Sequence, residues 1–392
     1  MHILQNKDEC VGCGSCANIC PKKCIAMRRN EEGFLEPFID NKECIKCKKC
    51  QRACPILNAC KETKGETQAF ATYSLDDNIR YYSTSGGIFT LLSSWIIQHN
   101  GVVYGAIYDE NFKVVHKRCE YIEQLGELRQ AKYSQSDLKN CFIEIKKLLE
   151  IEQYVLFSGT PCQIAALKSF LGKDYLHLYL VDLICHGVPS PAVWRKYVEY
   201  RSGVDNEGTL PVNINMRCKE TGWPSYSVCF KYQEGKKYIE KNNLDPYMRA
   251  FIKDLCLRKS CYNCKFKGIN RMSDFTLGDY WGIWSQMPEF NDGKGTSIVL
   301  IHSSKAMEIW NHIKKETQYR ELPVKLSVSE NPAAEHSAKM TEQREVFLKR
   351  YQEEDFQYLV NLLIPLESKK NLSENSILKE IKKFIKGIYK FL

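Results

Sequence analysis

The chain has 392 residues, 56 lysines and arginines against 47 aspartates and glutamates, a net charge of +9, and nineteen cysteines. This length buries an ordinary core without disulfides, and the opening MHILQNKDEC has neither the basic start nor the apolar run of a secretory signal, so the thiols are expected in the reducing cytoplasm as metal ligands or redox groups. The charge is moderate and no nucleic-acid-binding motif accompanies it, so no nucleic-acid partner is expected; no run approaches the ~18 apolar residues of a membrane span.

The first elements are two copies of one unit, CVGCGSCANICP and CIKCKKCQRACP. Cys10, Cys13, Cys16 and Cys20 precede Pro21, and Cys44, Cys47, Cys50 and Cys54 precede Pro55, each member displaced by 34 positions. The spacing C-x2-C-x2-C-x3-C-P holds two 4Fe-4S clusters in bacterial ferredoxins, with the fourth cysteine of each run ligating the other cluster. Cys10, Cys13, Cys16 and Cys54 are therefore expected around one cluster, and Cys44, Cys47, Cys50 and Cys20 around the second. Zinc knuckles would also take four thiolates each, but the doubled spacing is far more specific to iron-sulfur ligation. Cys24 and Cys60 are left over and read as small buried apolar residues.

KETKGE, after Cys60, has no apolar period and reads as a linker between a ferredoxin domain over residues 1–60 and a second domain over 66–345. A strand from Thr67 to Ser74 leads to the small-residue loop YSTSGG and an apolar helix from Ile88 to Gln98; VVYGAIY is the next strand. YVLFSGTPCQIAALKSF and HLYLVDLICHGVPSPAVWRKYVEY are successive strand-turn-helix units, the first with Pro161 at the helix start, where a missing N–H costs nothing. Such units predict parallel strands, with ligands gathering at their carboxyl ends, where Cys162 and Cys185 meet. Val212 to Glu240 alternates like antiparallel strands around a turn at Glu220 to Pro224, which predicts a mixed sheet. The fold class is α+β: a two-cluster ferredoxin domain followed by a mixed α/β domain.

STSGG, GTPCQ, DLICHGVPSP, CLRKSCYNC and SDFTLGDYWG occur in an order that resembles the beta-subunit family of coenzyme F-420 hydrogenases and dehydrogenases, over about residues 66–300. The resemblance implies a flavin-binding α/β domain holding FAD beside an iron-sulfur cluster. Ser83, Thr84, Ser85, Gly86 and Gly87 then contact the cofactor. A loop of hydroxyls and backbone N–H groups opening a helix suits a phosphate, although it lacks the spaced glycines of a dinucleotide fingerprint. Thr160, Cys162 and Gln163 of GTPCQ are the second set of flavin contacts. Cys256, Cys261 and Cys264 offer three soft ligands for a third cluster, with Cys185 as the fourth and Cys162 as its rival; zinc is the competing occupant.

The expected function is an oxidoreductase passing electrons from a ferredoxin or another redox protein through 4Fe-4S clusters to FAD and on to a small organic substrate. The alternative is a non-enzymatic subunit linking redox partners. MRCKETGW reads either as a basic, aromatic-tipped loop over the flavin or as an exposed turn; Asp182, Asp274 and Asp279 fall at strand ends, and no catalytic acid or base can be singled out. Cys119, Cys141, Cys218 and Cys229 show no ligand spacing and are expected to be buried. Residues 346–392 form a helical tail in which Ile377, Ile381, Phe384, Ile385, Ile388 and Leu392 recur at helical spacing. Its lysines suit peripheral contact with an anionic membrane or an acidic partner.

Overall fold

The computed structural model describes residues 3–58 and 66–366. Cys60 and the basic stripe from Lys369 to Leu392 lie outside the described residues. Among the described residues no helix is long and apolar enough to cross a membrane.

Half of the buried core of the N-terminal unit is thiol. Its two cysteine runs each end in one turn of helix, Ser15–Asn18 and Lys49–Arg52, with a two-stranded antiparallel ribbon between them, β1 (Ile25–Arg29) and β2 (Leu35–Ile39). Cys16, Cys50 and Cys54 pack with Ile3, Leu4 and Ile25 into a miniature core. Ser15 Oγ donates to the Ala53 carbonyl at 2.8 Å, tying the two halves of the duplication together.

The larger unit is built on β3 (Gln68–Ser74), β4 (Val102–Tyr108), β5 (Val114–Cys119), β6 (Val155–Ser158), β7 (Leu178–Leu183), β8 (Asn213–Cys218), β9 (Ser227–Lys231), β10 (Lys237–Lys241), β11 (Phe275–Asp279), β12 (Ser297–Ile301) and β13 (Thr317–Leu322). Eight of these form one sheet in the order β13-β3-β12-β11-β7-β6-β4-β5. The pairs β11/β7, β7/β6 and β6/β4 are parallel, and the remaining pairs are antiparallel. It follows that β3, β11, β7, β6 and β4 all run the same way and share one carboxyl edge.

The centre of this sheet is apolar on both faces, as strands flanked by crossover helices must be. Leu156, Tyr179 and Val181 face the helices Ile88–Gln98 and Ser304–Ile313. Their neighbours Val155, Phe157, Leu178 and Leu180 face Cys141–Glu150 and Pro161–Leu171. Pro161 opens its helix, with Thr160 and Gln163 forming a reciprocal capping box and Gly172 closing it in the left-handed conformation.

The sheet is mixed as expected, but not because of the segment that predicted it. β8, β9 and β10 form a separate three-stranded antiparallel sheet. Ile214, Val228 and Phe230 pack against Pro191–Asn206 and, with Phe347, Phe356 and Leu359 of the last two helices, make their own core. Alternation alone shows that strands pair; it does not show which sheet they join.

Candidate functional site

Three groups of thiols line three cavities. The first contains Cys10, Cys13, Cys16 and Cys54, around about 300 Å3 of space with Ile3, Leu4 and Ile56. The Cys10–Cys16 loop bends through left-handed Gly12 and Gly14, at φ of 66° and 70°. A Cβ on Gly12 would stand 2.7 Å from Arg258 Nη1 and 2.8 Å from the Leu35 carbonyl, so the loop reaches its neighbours only as glycine. Burial pushes the Cys16 thiol up to about 12, and Cys10 and Cys54 nearby add to this; Cys13 is raised by the same causes, burial first.

The second group is Cys20, Cys44, Cys47 and Cys50. Both groups mix the runs, the fourth cysteine of each copy standing with the first three of the other. Cys24, expected to be an isolated apolar filler, lines the same cavity, and its sulfur is 3.4 Å from that of Cys20. The sequence signal for this is its place four residues after Cys20, which the ferredoxin motif does not include.

The third group brings both candidates for the fourth position together. Cys162 and Cys185 both face Cys261 and Cys264 around a cavity of about 130 Å3. Cys162 enters from the start of the Pro161–Leu171 helix, with Thr160 Oγ1 at 3.1 Å. Cys185 follows the end of β7, and Val188 N–H donates to Cys261 Sγ at 3.4 Å. Burial raises Cys162 to about 12 and Cys261 to about 11, and raises Cys185 further. Cys256, expected as a ligand, is not in the group: its thiol is fully buried in the core beneath the three-stranded sheet. The charged side chains acting on it are Arg344 and Asp254, not other thiols. The local spacing of the three cysteines suggests a common ligand set, but the chain between Cys256 and Cys261 turns Cys256 inward.

This third cavity is also lined by Asn6, Asp8, Glu9, Val11 and Ile56 of the N-terminal unit. The two units are joined there by a side chain that no motif singled out. Arg258, 4% exposed, donates from Nε to the Cys10 carbonyl at 2.6 Å, from Nη1 to Gln135 Oε1 and from Nη2 to the Leu35 carbonyl, both at 3.0 Å. Arg344 grips Glu32 with both terminal nitrogens. Lys259 and Lys265 pair with Asp8 and Glu9 at the rim.

The residues expected to contact a flavin share the same edge of the sheet. The Ser83 and Ser85 hydroxyls donate to the Ile79 and Thr296 carbonyls, and Gly86 N–H donates to Ser297 Oγ. Thr84 Oγ1 accepts from Ala131 N–H, while Gln163 Nε2 donates to Ser136 Oγ. The loop through residues 129–137 therefore connects STSGG to GTPCQ. Gly87, left-handed at φ 89°, opens the Ile88–Gln98 helix. Along that edge the Tyr108 hydroxyl, Arg129 Nε and Ser134 Oγ are buried without a protein partner.

MRCKETGW is exposed at its tip, Glu220 and Thr221, but its arginine and tryptophan are buried. Trp223 is buried and stacks on Trp281 at 5.3 Å, and Arg217 forms a buried pair with Asp279 at 3.0 Å. Lys219 Nζ donates to the Arg80 and Ser85 carbonyls at 2.7 and 2.8 Å, pinning the hairpin to the STSGG loop. Burial, reinforced by Arg80, pulls its ammonium down to about 7. Asp182 and Asp274 cap no turn; they accept from Thr276 Oγ1 and from Leu180 N–H respectively. Cys218 and Cys229, expected merely to be buried, meet across β8 and β9. With Glu220 they place ligand atoms within 4.8 Å of one another, the one such group among the described residues.

The family described as the C terminus of the coenzyme F420 hydrogenase/dehydrogenase beta subunit matches residues 152–325, the span from GTPCQ through the third thiol group. Two descriptions of a 4Fe-4S dicluster domain match residues 9–57 and 36–124. Residues 152–325 therefore carry the C-terminal domain of the coenzyme F420 hydrogenase/dehydrogenase beta subunit, behind a 4Fe-4S dicluster region. The chain is an iron-sulfur electron-transfer protein of oxidoreductase type, with the family's domain behind a ferredoxin-like one. An uncharacterised ferredoxin of Methanocaldococcus jannaschii is 33% identical over 55 residues, 14% of this chain and 70% of that protein. NADH-quinone oxidoreductase subunit I 2 of Geobacter metallireducens is 35% identical over 82 residues, 20% of this chain, which spans 60% of that protein. A solved chain of the F420-reducing NiFe hydrogenase complex from Methanosarcina barkeri aligns at TM-score 0.43 and 15% identity, covering 76% of this chain and 90% of that one.

Proposed function

We propose that this protein is an iron-sulfur flavoprotein oxidoreductase with three 4Fe-4S clusters and one FAD. Cys10, Cys13, Cys16 and Cys54 would hold the cluster nearest the α/β unit, and Cys20, Cys44, Cys47 and Cys50 the distal one. Cys162, Cys185, Cys261 and Cys264 would hold the third. The observation that carries this reading is the convergence of those last four thiols, from three separate segments, on a cavity whose other wall belongs to the ferredoxin-like unit. Sulfurs around one zinc ion, with Zn–S near 2.3 Å, would stand about 3.8 Å apart. No three of the four thiols lie within 4.8 Å of one another, so they are not gathered as closely as one zinc ion would require.

FAD fits the neighbouring edge. The orphaned polar atoms of Tyr108, Arg129 and Ser134 are groups a polar ligand would satisfy, and the start of the Ile88–Gln98 helix directs N–H groups there. Ser83 and Ser85 would position the loop through carbonyls rather than touch the cofactor, since their hydroxyls are engaged within the protein. Gly86 is engaged in the same way, through its N–H to Ser297 Oγ; Thr84, whose hydroxyl accepts from Ala131 N–H and keeps its own proton to donate, and Gly87 remain as contacts, with Thr160 and Gln163 supporting the opposite wall. When bound, FAD supplies the exchange between single electrons and electron pairs that an organic substrate requires. The family's description as a beta subunit favours a second reading, in which the chain relays electrons between partners and turns over no substrate.

The test is anaerobic preparation with iron, sulfide and flavin quantified. About twelve irons, four per cluster, and one FAD are expected. Iron for two clusters only, after reconstitution, overturns the third; absence of flavin from reconstituted protein leaves the relay reading. Bleaching of the reduced protein by one organic oxidant among a panel separates enzyme from relay.

A further inference from the structure

The two cysteine runs have the same backbone but opposite surroundings. In the first, the left-handed positions are Gly12 and Gly14; in the second the equivalent positions are Lys46 and Lys48, also left-handed at φ of 56° and 60°. An L-residue with a side chain costs roughly 1 kcal/mol or more there, where glycine costs almost nothing. At Gly12 the glycine is demanded by the approach of Arg258 and Leu35. Around the second run nothing crowds the loop: Lys46, Cys47 and Lys48 are exposed. Glycine would serve the fold better, yet lysine stands at both positions.

These two lysines belong to a cluster. Lys22, Lys23, Lys42 and Lys49 are exposed beside them, opposed only by Asp40 and Glu43, and among the described residues none of the six lysines is in an ion pair. By contrast, Lys259 and Lys265 at the inner end of the unit are paired with Asp8 and Glu9. At the centre of the lysines lie Ile45, 57% exposed, and Cys47, the one exposed thiol in the three groups. An apolar centre with a charged rim is the anatomy of a transient protein interface, and unpaired charge of one sign steers association with a partner of the other.

We infer that this face is the docking site for an acidic protein that exchanges single electrons with the distal cluster, and that Lys46 and Lys48 accept backbone strain to provide its charge. The inference rests on the proposed ligation of the distal cluster by Cys20, Cys44, Cys47 and Cys50, and not on FAD or a substrate. The partner's surface presents carboxylates around a small apolar patch that meets Ile45.

The test compares holoprotein with its Lys46→Gly/Lys48→Gly double variant, in which the backbone is relieved and two charges are lost. A two-cluster ferredoxin of net negative charge serves as the probe. Calorimetric affinity for the oxidised probe and the rate at which the reduced probe bleaches this chain's clusters should both fall about five- to tenfold at low ionic strength. Iron content and bleaching by a neutral photoreductant should be unchanged, and raising salt should weaken wild-type binding more steeply than the variant's. Equal affinity of the two proteins, or wild-type binding indifferent to salt, overturns the inference. So does binding to anionic lipid vesicles that depends on these lysines while the acidic ferredoxin does not bind. If variant iron content falls, Lys46→Gln/Lys48→Gln replaces it under the same criteria. Because the readouts are binding and cluster bleaching, their failure leaves the flavin reading standing, and a protein without flavin would still pass.

Discussion

Arg258 Nε meets the Cys10 carbonyl at 2.6 Å, and the same guanidinium reaches Gln135 and Leu35. One side chain thus fastens the first thiol loop to the segment carrying Cys261 and Cys264, three residues and six residues further along. Arg258→Met would strand three acceptors, one buried and two half-buried, the buried one alone costing on the order of 1–3 kcal/mol. The expected result is a fall in melting temperature with iron content retained, together with weaker magnetic coupling between the inner ferredoxin cluster and the third. Arg258→Lys should recover little, because an ammonium cannot fork to acceptors in three directions. Unchanged stability and coupling would show the two units to be held by Arg344 and Glu32 instead.

The thiol groups yield a sharper contrast. Cys162→Ser and Cys185→Ser should each remove one cluster's worth of iron, about four atoms, while the spectrum of the ferredoxin pair survives. Cys256→Ser should leave iron unchanged and cost about 1–2 kcal/mol of stability, since a hydroxyl replaces a thiol in an apolar core. Iron loss in Cys256→Ser would restore it as a ligand.

How legible this was depended on the range of the interactions. The doubled cysteine run, the Ile88–Gln98 helix and the parallel strands β6 and β7 are local patterns, and each is visible in a window of about twenty residues. Topology puts Cys162 and Cys185 at one sheet edge, but three cysteines in one run leave a single open position and make them rivals; nothing in the spacing reveals that Cys256 turns into the core. Arg258 was invisible, as an arginine's partners are set by packing and not by periodicity. The approach of Cys218 to Cys229 depended on a bulge between Asn215 and Cys218, a shift of register that alternation does not predict.

The hairpin over the STSGG loop depends on a buried charge pair. Arg217 and Asp279 meet at 3.0 Å, with the guanidinium 3.8 Å from the Tyr226 ring centre and Trp223 Nε1 donating to Asp279 at 3.3 Å. Asp279→Leu leaves Arg217 charged and uncompensated, and about 3–5 kcal/mol of stability should be lost. Arg217→Met/Asp279→Leu should cost less than Asp279→Leu alone. Denaturant unfolding of the three variants and wild type closes the cycle. Additive losses would mean that the two residues are not energetically coupled.

Acid stability should be governed in part by His302, which is buried with Nδ1 at 3.0 Å from Thr67 Oγ1 and Nε2 at 2.9 Å from Thr276 Oγ1. Burial, with Arg271 adding, pulls its pKa down from the ordinary 6.5 to about 3. The unfolded chain therefore binds the proton that the folded chain refuses between those values. Stability contributed by the neutral ring is complete above pH 6.5, and it falls as pH drops toward 3. At pH 5 the loss is about 2 kcal/mol from this one group. His116, drawn down to about 4 by burial, adds a similar amount over a narrower window. His302→Gln keeps a hydrogen-bonding side chain but cannot titrate. It should be less stable than wild type at pH 7.5, with the difference shrinking as pH approaches 5. Melting curves of the two proteins at half-unit steps provide the measurement, and a gap that stays constant across this range would show that His302 does not titrate on unfolding.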